Sequence, residues 1–200
     1  MSLTPEQIQQ NWERFRSLCE KTGDRAPALA KMLDALEERL ALCPASSKLD
    51  YHNAFAGGLI EHSLRVLSNA TKIVKAFEWN VKKEALIIGC LFHDLGKVGD
   101  EEHDYYLPQD SDWHREKLGE VFVHNKKLQY MTVPQRGIYL MQRFGVRLEA
   151  DEYLAILLND GWVLPENKSY CLKEPPLVTV VQHADYIATK QEKEAAALVG

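Results

Sequence analysis

Apolar residues recur at helical spacing along most of the chain. Leu29, Met32, Leu33, Leu36 and Leu40 share one face, and Pro44 predicts that their helix stops near Cys43. Before them, Thr4-Pro5-Glu6-Gln7 has the form of a capping box with proline in the first turn. It predicts a helix to about Glu20, broken at Gly23. From Gly58 onward, Leu59, Leu64, Leu67, Ala70, Ile73, Val74 and Phe77 mark a long amphipathic helix ending near Asn80. Residues 82–93 are apolar almost all round, the pattern of a helix buried at the centre of a domain, and Gly96 is placed to terminate it.

The stretch 97–112 is polar and aromatic and reads as a long loop. Three more helices are predicted over 113–128, 132–144 and 149–159, the second opened by Thr132 and Gln135 in another capping box. Prolines mark 161–176 as a second loop. The run from Leu177 to Val181 has strand propensity. Its continuation through Ala184, Ile187 and Ala188 keeps the helical period, which predicts a last helix instead. With no alternating strands bounded by hairpin turns, the fold class expected is all-α.

Two hundred residues, 46% hydrophobic and 26% charged, suit one globular domain that needs no staple to fold. A net charge of −5 argues against a basic duplex-binding surface. Cys19, Cys43, Cys90 and Cys171 show no CxxC spacing, so reduced thiols are expected. The start MSLTPEQIQQ lacks the basic-then-apolar pattern of a signal peptide, and no apolar run reaches the roughly 18 residues of a spanning helix. A cytoplasmic protein without membrane contact is the expectation.

His93-Asp94 closes the most apolar helix, where an ionised carboxylate beside an imidazole is costly unless compensated. A divalent metal compensates, since imidazole and carboxylate together suit Fe, Mn, Ni, Co or Zn. A helix-terminal His–Asp hydrogen bond is the plainer alternative. His62 lies one turn inside the preceding helix, and antiparallel packing of the two would bring it to His93. Asp185 sits on the last helix. A lone histidine on an apolar face is usually a satisfied core residue. Four such groups able to converge from three helices weaken that reading.

The order His62, His93-Asp94, Asp185 resembles the H…HD…D pattern of the HD-domain metal-dependent phosphohydrolases. The extended forms YHNAFAGGLIEHSLRVL, LFHDLGK and QHADYIA strengthen the likeness, which covers about 51–191. It implies an HD-type helical bundle over 51–191, with a helical extension over 1–50 and a tail over 192–200. It also implies His62, His93, Asp94 and Asp185 as ligands of a divalent ion (Mn, Fe, Ni, Co, Zn or Mg).

The motifs are most similar to the HD domain of bacterial 3′→5′ exoribonucleases that carry an OB-fold upstream. His52 matches a histidine ahead of the first ligand there, and His124 one that follows a glycine, here Gly119. Where those enzymes have a histidine pair before a glycine, this chain has Asn159-Asp160-Gly161. One tight metal is therefore expected, with His124, Asp160 and His52 as candidates for a second ion or for substrate. No OB-fold is predicted within 1–50, which argues against processive RNA degradation.

The reaction implied is hydrolysis of a phosphate ester or anhydride of a nucleotide. A bound metal lowers the pKa of water to about 7. Asp94 would orient that water, and Lys97 and Arg65 would neutralise phosphate charge. A phosphodiesterase or 3′→5′ exonuclease on single-stranded nucleic acid is the alternative. Seven basic and two acidic residues over 113–147 favour it. A non-catalytic helical module that binds a nucleotide or protein partner is the second alternative. Tyr105, Tyr106, Trp113, Trp162 and Tyr170 could stack on a base or simply anchor the loops, and an oligomer through the N-terminal helices stays open.

Overall fold

In the computed structural model, which describes residues 2–198, the chain is a helical bundle carrying one small ribbon. Helix α1 (Pro5–Cys19) begins with the Thr4–Gln7 capping box, and α2 (Ala26–Leu42) returns beside it. Helix α3 (Gly58–Ala76) packs on α4 (Lys83–Phe92) and on the last helix, α8 (Pro176–Ala197). Every residue from Leu86 to Phe92 is buried, as the all-round apolar pattern requires. Helix α7 (Ala150–Leu157) covers α4 and α8, and α6 (Val133–Arg143) packs on the turn at Leu95–Val98.

The first two helices share the central core. Phe15 on α1 meets Phe92 on α4 edge to face, with ring centroids 5.5 Å apart, and both rings are fully buried. Each such ring contributes about 1.5–3 kcal/mol of burial free energy. This joins α1 to the helix that carries the His93-Asp94 pair at its end.

Two local expectations are corrected. The helix predicted over 113–128 stops early: α5 spans only Asp112–Leu118, and Gly119 ends it in the left-handed region (φ 61°). After it comes strand β2 (Phe122–His124), which pairs antiparallel with β1 (Tyr106–Pro108), inside the predicted loop. Branched and aromatic side chains at Val121, Phe122 and Val123 suit a pleated ribbon better than a helix. Gly96 also has a different role. Helix α4 ends before it, at Phe92, and a Cβ at Gly96 would overlap the Val133 carbonyl oxygen of α6. Close approach of two backbones, not termination, requires glycine there.

The predicted boundary at 191/192 falls inside α8, which continues to Ala197. The basic residues of 113–147 do not form one face. Arg115 pairs with Asp112, Arg143 with Glu101, and Arg147 with Asp24, while Arg136 is buried beside Tyr105. No helix among the described residues is long and apolar enough to cross a membrane.

Candidate metal centre

The bundle brings the four predicted metal-ligating side chains together. His62 comes from the second turn of α3, His93 and Asp94 from the end of α4, and Asp185 from the middle of α8. His62 and His93 are fully buried, with ring centroids 5.3 Å apart. His62 Nε2 lies 3.0 Å from Asp185 Oδ1, and His93 Nε2 lies 3.4 Å from Asp94 Oδ2 and 3.9 Å from Asp185 Oδ1. Donor atoms of His62, His93 and Asp94 all fall within 4.8 Å of one another.

The far nitrogens fix how these rings face. His93 Nδ1 donates to the Cys90 carbonyl at 2.9 Å, and His62 Nδ1 donates to the Glu192 carboxylate at 3.0 Å. Both Nε2 atoms are therefore turned inward towards the carboxylates, and neither makes a well-aligned hydrogen bond in the protein. Two buried, unpartnered imidazole nitrogens beside two carboxylates are costly unless something answers them. A divalent cation fits: neutral imidazole and carboxylate oxygen are its usual donors, and a second hydrogen bond from each ring is the usual support.

The charges agree. Burial opposes ionisation of Asp94, but Lys97, with Nζ 2.6 Å from Oδ2, and then His93 hold it well below the usual carboxylate range. Burial likewise opposes a proton on His62, yet Asp185 and then Glu192 raise it to about 10. The carboxylates that favour a proton on that ring favour a cation in its place.

Other predicted residues divide. His52 reaches the cluster: its ring centroid is 4.6 Å from that of His62, and its Nε2 is buried and unpartnered. Burial first, then the positive charges of His62 and Lys97, lower its pKa to about 3. Asp160 lies within electrostatic reach; burial and then Asp94 raise its carboxyl. His124 is exposed on the ribbon, its ring centroid 4.9 Å from Tyr105 and 5.5 Å from Tyr106. Among the described residues, neither His124 nor Asp160 joins a group of three donors able to hold a metal.

Arg65, expected at a phosphate, pairs with Glu61 at 3.0 Å and with Glu192 at 3.2 Å. His183, two residues before Asp185, is exposed on α8, where its Nδ1 donates to the Thr179 carbonyl.

Glu192 is the residue the sequence reading missed. It is buried between His62 and Arg65, in a segment, Lys190-Gln-Glu-Lys-Glu194, that looks like a solvated helix face. One signal was available. Glu192 follows Asp185 by seven residues, two helical turns, so the pair shares a face.

A family model described as HD domain matches residues 59–190. No curated protein and no solved structure matches the chain.

Proposed function

The chain belongs to the HD domain family, and from that premise we propose that it is a metal-dependent phosphohydrolase acting on a phosphate ester or anhydride of a nucleotide. One observation carries this reading: the unpartnered Nε2 atoms of His62 and His93 converge with the carboxylates of Asp94 and Asp185 in a buried cluster.

In this reading His62, His93, Asp94 and Asp185 hold the ion. When bound, it supplies Lewis acidity, lowering the pKa of water so that hydroxide is available near neutral pH. The chain's own groups do the remainder. Asp94, kept ionised by Lys97 and His93, would help hold the ion and orient water. Lys97 neutralises charge on the phosphate oxygens from its place beside Asp94. Its pKa is raised, by Asp94 above all, against the cost of burial, so it stays cationic throughout the working range. Arg65 acts behind the site, holding Glu192 against His62. His52, neutral and half-buried beside His62, is placed to hydrogen-bond the substrate or its water.

The test is a product profile. Protein with Mn²⁺ is incubated with nucleoside mono- and triphosphates and a short single-stranded oligonucleotide, and the products are separated by chromatography. The reading predicts loss of particular nucleotides with the oligonucleotide intact. Stepwise shortening of the oligonucleotide would replace it with an exonuclease. In parallel, Asp94→Ala should abolish both bound metal and turnover; full activity in that variant would sink the assignment.

A further inference from the structure

Next to the metal-ligand cluster lies a cavity of about 510 Å³, within the range that holds a small ligand. Lys97 and His52 line it where it meets the cluster; the 45–52 segment, the β1–β2 ribbon and α8 supply the walls. Those walls are stitched together by backbone. The Val121 and Phe122 N–H groups both donate to the Ser47 carbonyl, at 3.0 and 3.1 Å, and the Leu49 N–H donates to the Gly119 carbonyl at 2.9 Å. The cavity is thus built before any ligand arrives, which lowers the ordering cost of binding.

Its charge is opposite to that of the chain. On a protein of −5, Lys48, Lys97 and Lys193 line the cavity against one acid, Glu120. Asp94 answers Lys97 at the metal end, and Glu120 answers Lys48 at 2.6 Å. Lys193 has no carboxylate within ion-pair distance among the described residues, and its Nζ stands 6.0 Å from the centroid of the Tyr51 ring. Tyr106 and His124 add a second aromatic wall. Two of the three cations are answered within the protein, and an anion in the cavity would answer the third. A single phosphate at the metal centre would engage the ion and Lys97, leaving Lys193 unanswered and Lys48 shared with Glu120 alone.

We propose that this cavity binds a second phosphate group of the substrate through Lys193 and Lys48, so that the preferred substrate is a nucleotide carrying two phosphates. The inference rests on reading the neighbouring cluster as a phosphohydrolase centre. Tyr51 on one side and Tyr106 with His124 on the other offer ring faces to the nucleoside.

Calorimetric titration of the full chain in EDTA with three probes tests it: adenosine 5′-monophosphate, adenosine 5′-diphosphate and adenosine 3′,5′-bisphosphate. The last two distinguish a phosphate in the same chain from one across the sugar. At least one of them should bind about tenfold or more tightly than the monophosphate. Lys193→Ala and Lys48→Ala should each reduce that preference several-fold, with the fold checked by circular dichroism. Equal affinities for all three probes, or a preference that both variants retain, overturn the proposal. Bound Mn²⁺ is counted separately on EDTA-free samples. A preference without bound metal would remove the phosphohydrolase reading and leave the phosphate pocket standing.

Discussion

At the scale of single residues, the buried imidazoles decide what the centre can do. His62 has both ring nitrogens facing α8, Nε2 towards Asp185 and Nδ1 towards Glu192. A carboxylate behind a metal-ligating histidine fixes its tautomer and raises its basicity, and losing one typically costs about 10–100-fold in metal affinity. Glu192→Ala should therefore weaken Mn²⁺ binding by about that factor in titration calorimetry, with helix content unchanged. Wild-type affinity would show that the pair is only structural. His52 makes the opposite kind of contribution. Its pKa falls from 6.5 to about 3 on folding, so between those values the unfolded chain binds the extra proton. Stability then falls as pH drops through that window. Metal-free His52→Asn should lose less stability than the parent when pH is lowered from about 6.5 to about 4, read as urea midpoints. The four candidate ligands were legible in sequence because each stands in an apolar or motif context. Glu192 was not, because its neighbours are charged and exposed and only the distant His62 gives it a purpose.

Among the elements, helices with a clean apolar period were read closely, and the ribbon was not. Three-residue strands are too short to establish an alternation, and β1 and β2 are sixteen positions or so apart in the chain, so their pairing leaves no local trace. What stopped α5 was Gly119, whose left-handed conformation closes the helix and turns the chain towards β1. Gly96 shows the other limit of local reading: a glycine after a helix looks like a cap, while its cause lies across the fold in α6. Gly96→Ala should destabilise the protein by about 1–3 kcal/mol in urea denaturation, the usual range for overpacking. Because Gly96 lies between Asp94 and Lys97, the same variant should also weaken Mn²⁺ binding. A neutral effect on both would mean that α6 and this turn separate without cost.

For the whole molecule, the core is one continuous cluster joining α1 and α2 to α3, α4 and α8. Its closure can be probed through sulfur. Burial raises the Cys19 thiol to about 12 and pushes Cys43 and Cys90 higher still, while Cys171 sits half-buried in the second loop. At about pH 8, one of the four thiols should react quickly with a chromogenic disulfide reagent, and all four only in denaturant. Fast reaction of two or more would mean that the core opens on the time scale of the assay. The helical class and the converging candidate ligands were legible because both follow from periodicity and order. The cavity was not, since its walls come from three separated segments. The seating of Glu192 beyond Asp185 on α8 has one more consequence. A protease trimming the chain inward from its C-terminal end would reach Glu192 before any of the four predicted ligands. If the cluster holds a metal as proposed, it would first lose its grip on the ion and only later its coordination, so truncation would dim the protein by degrees before extinguishing it.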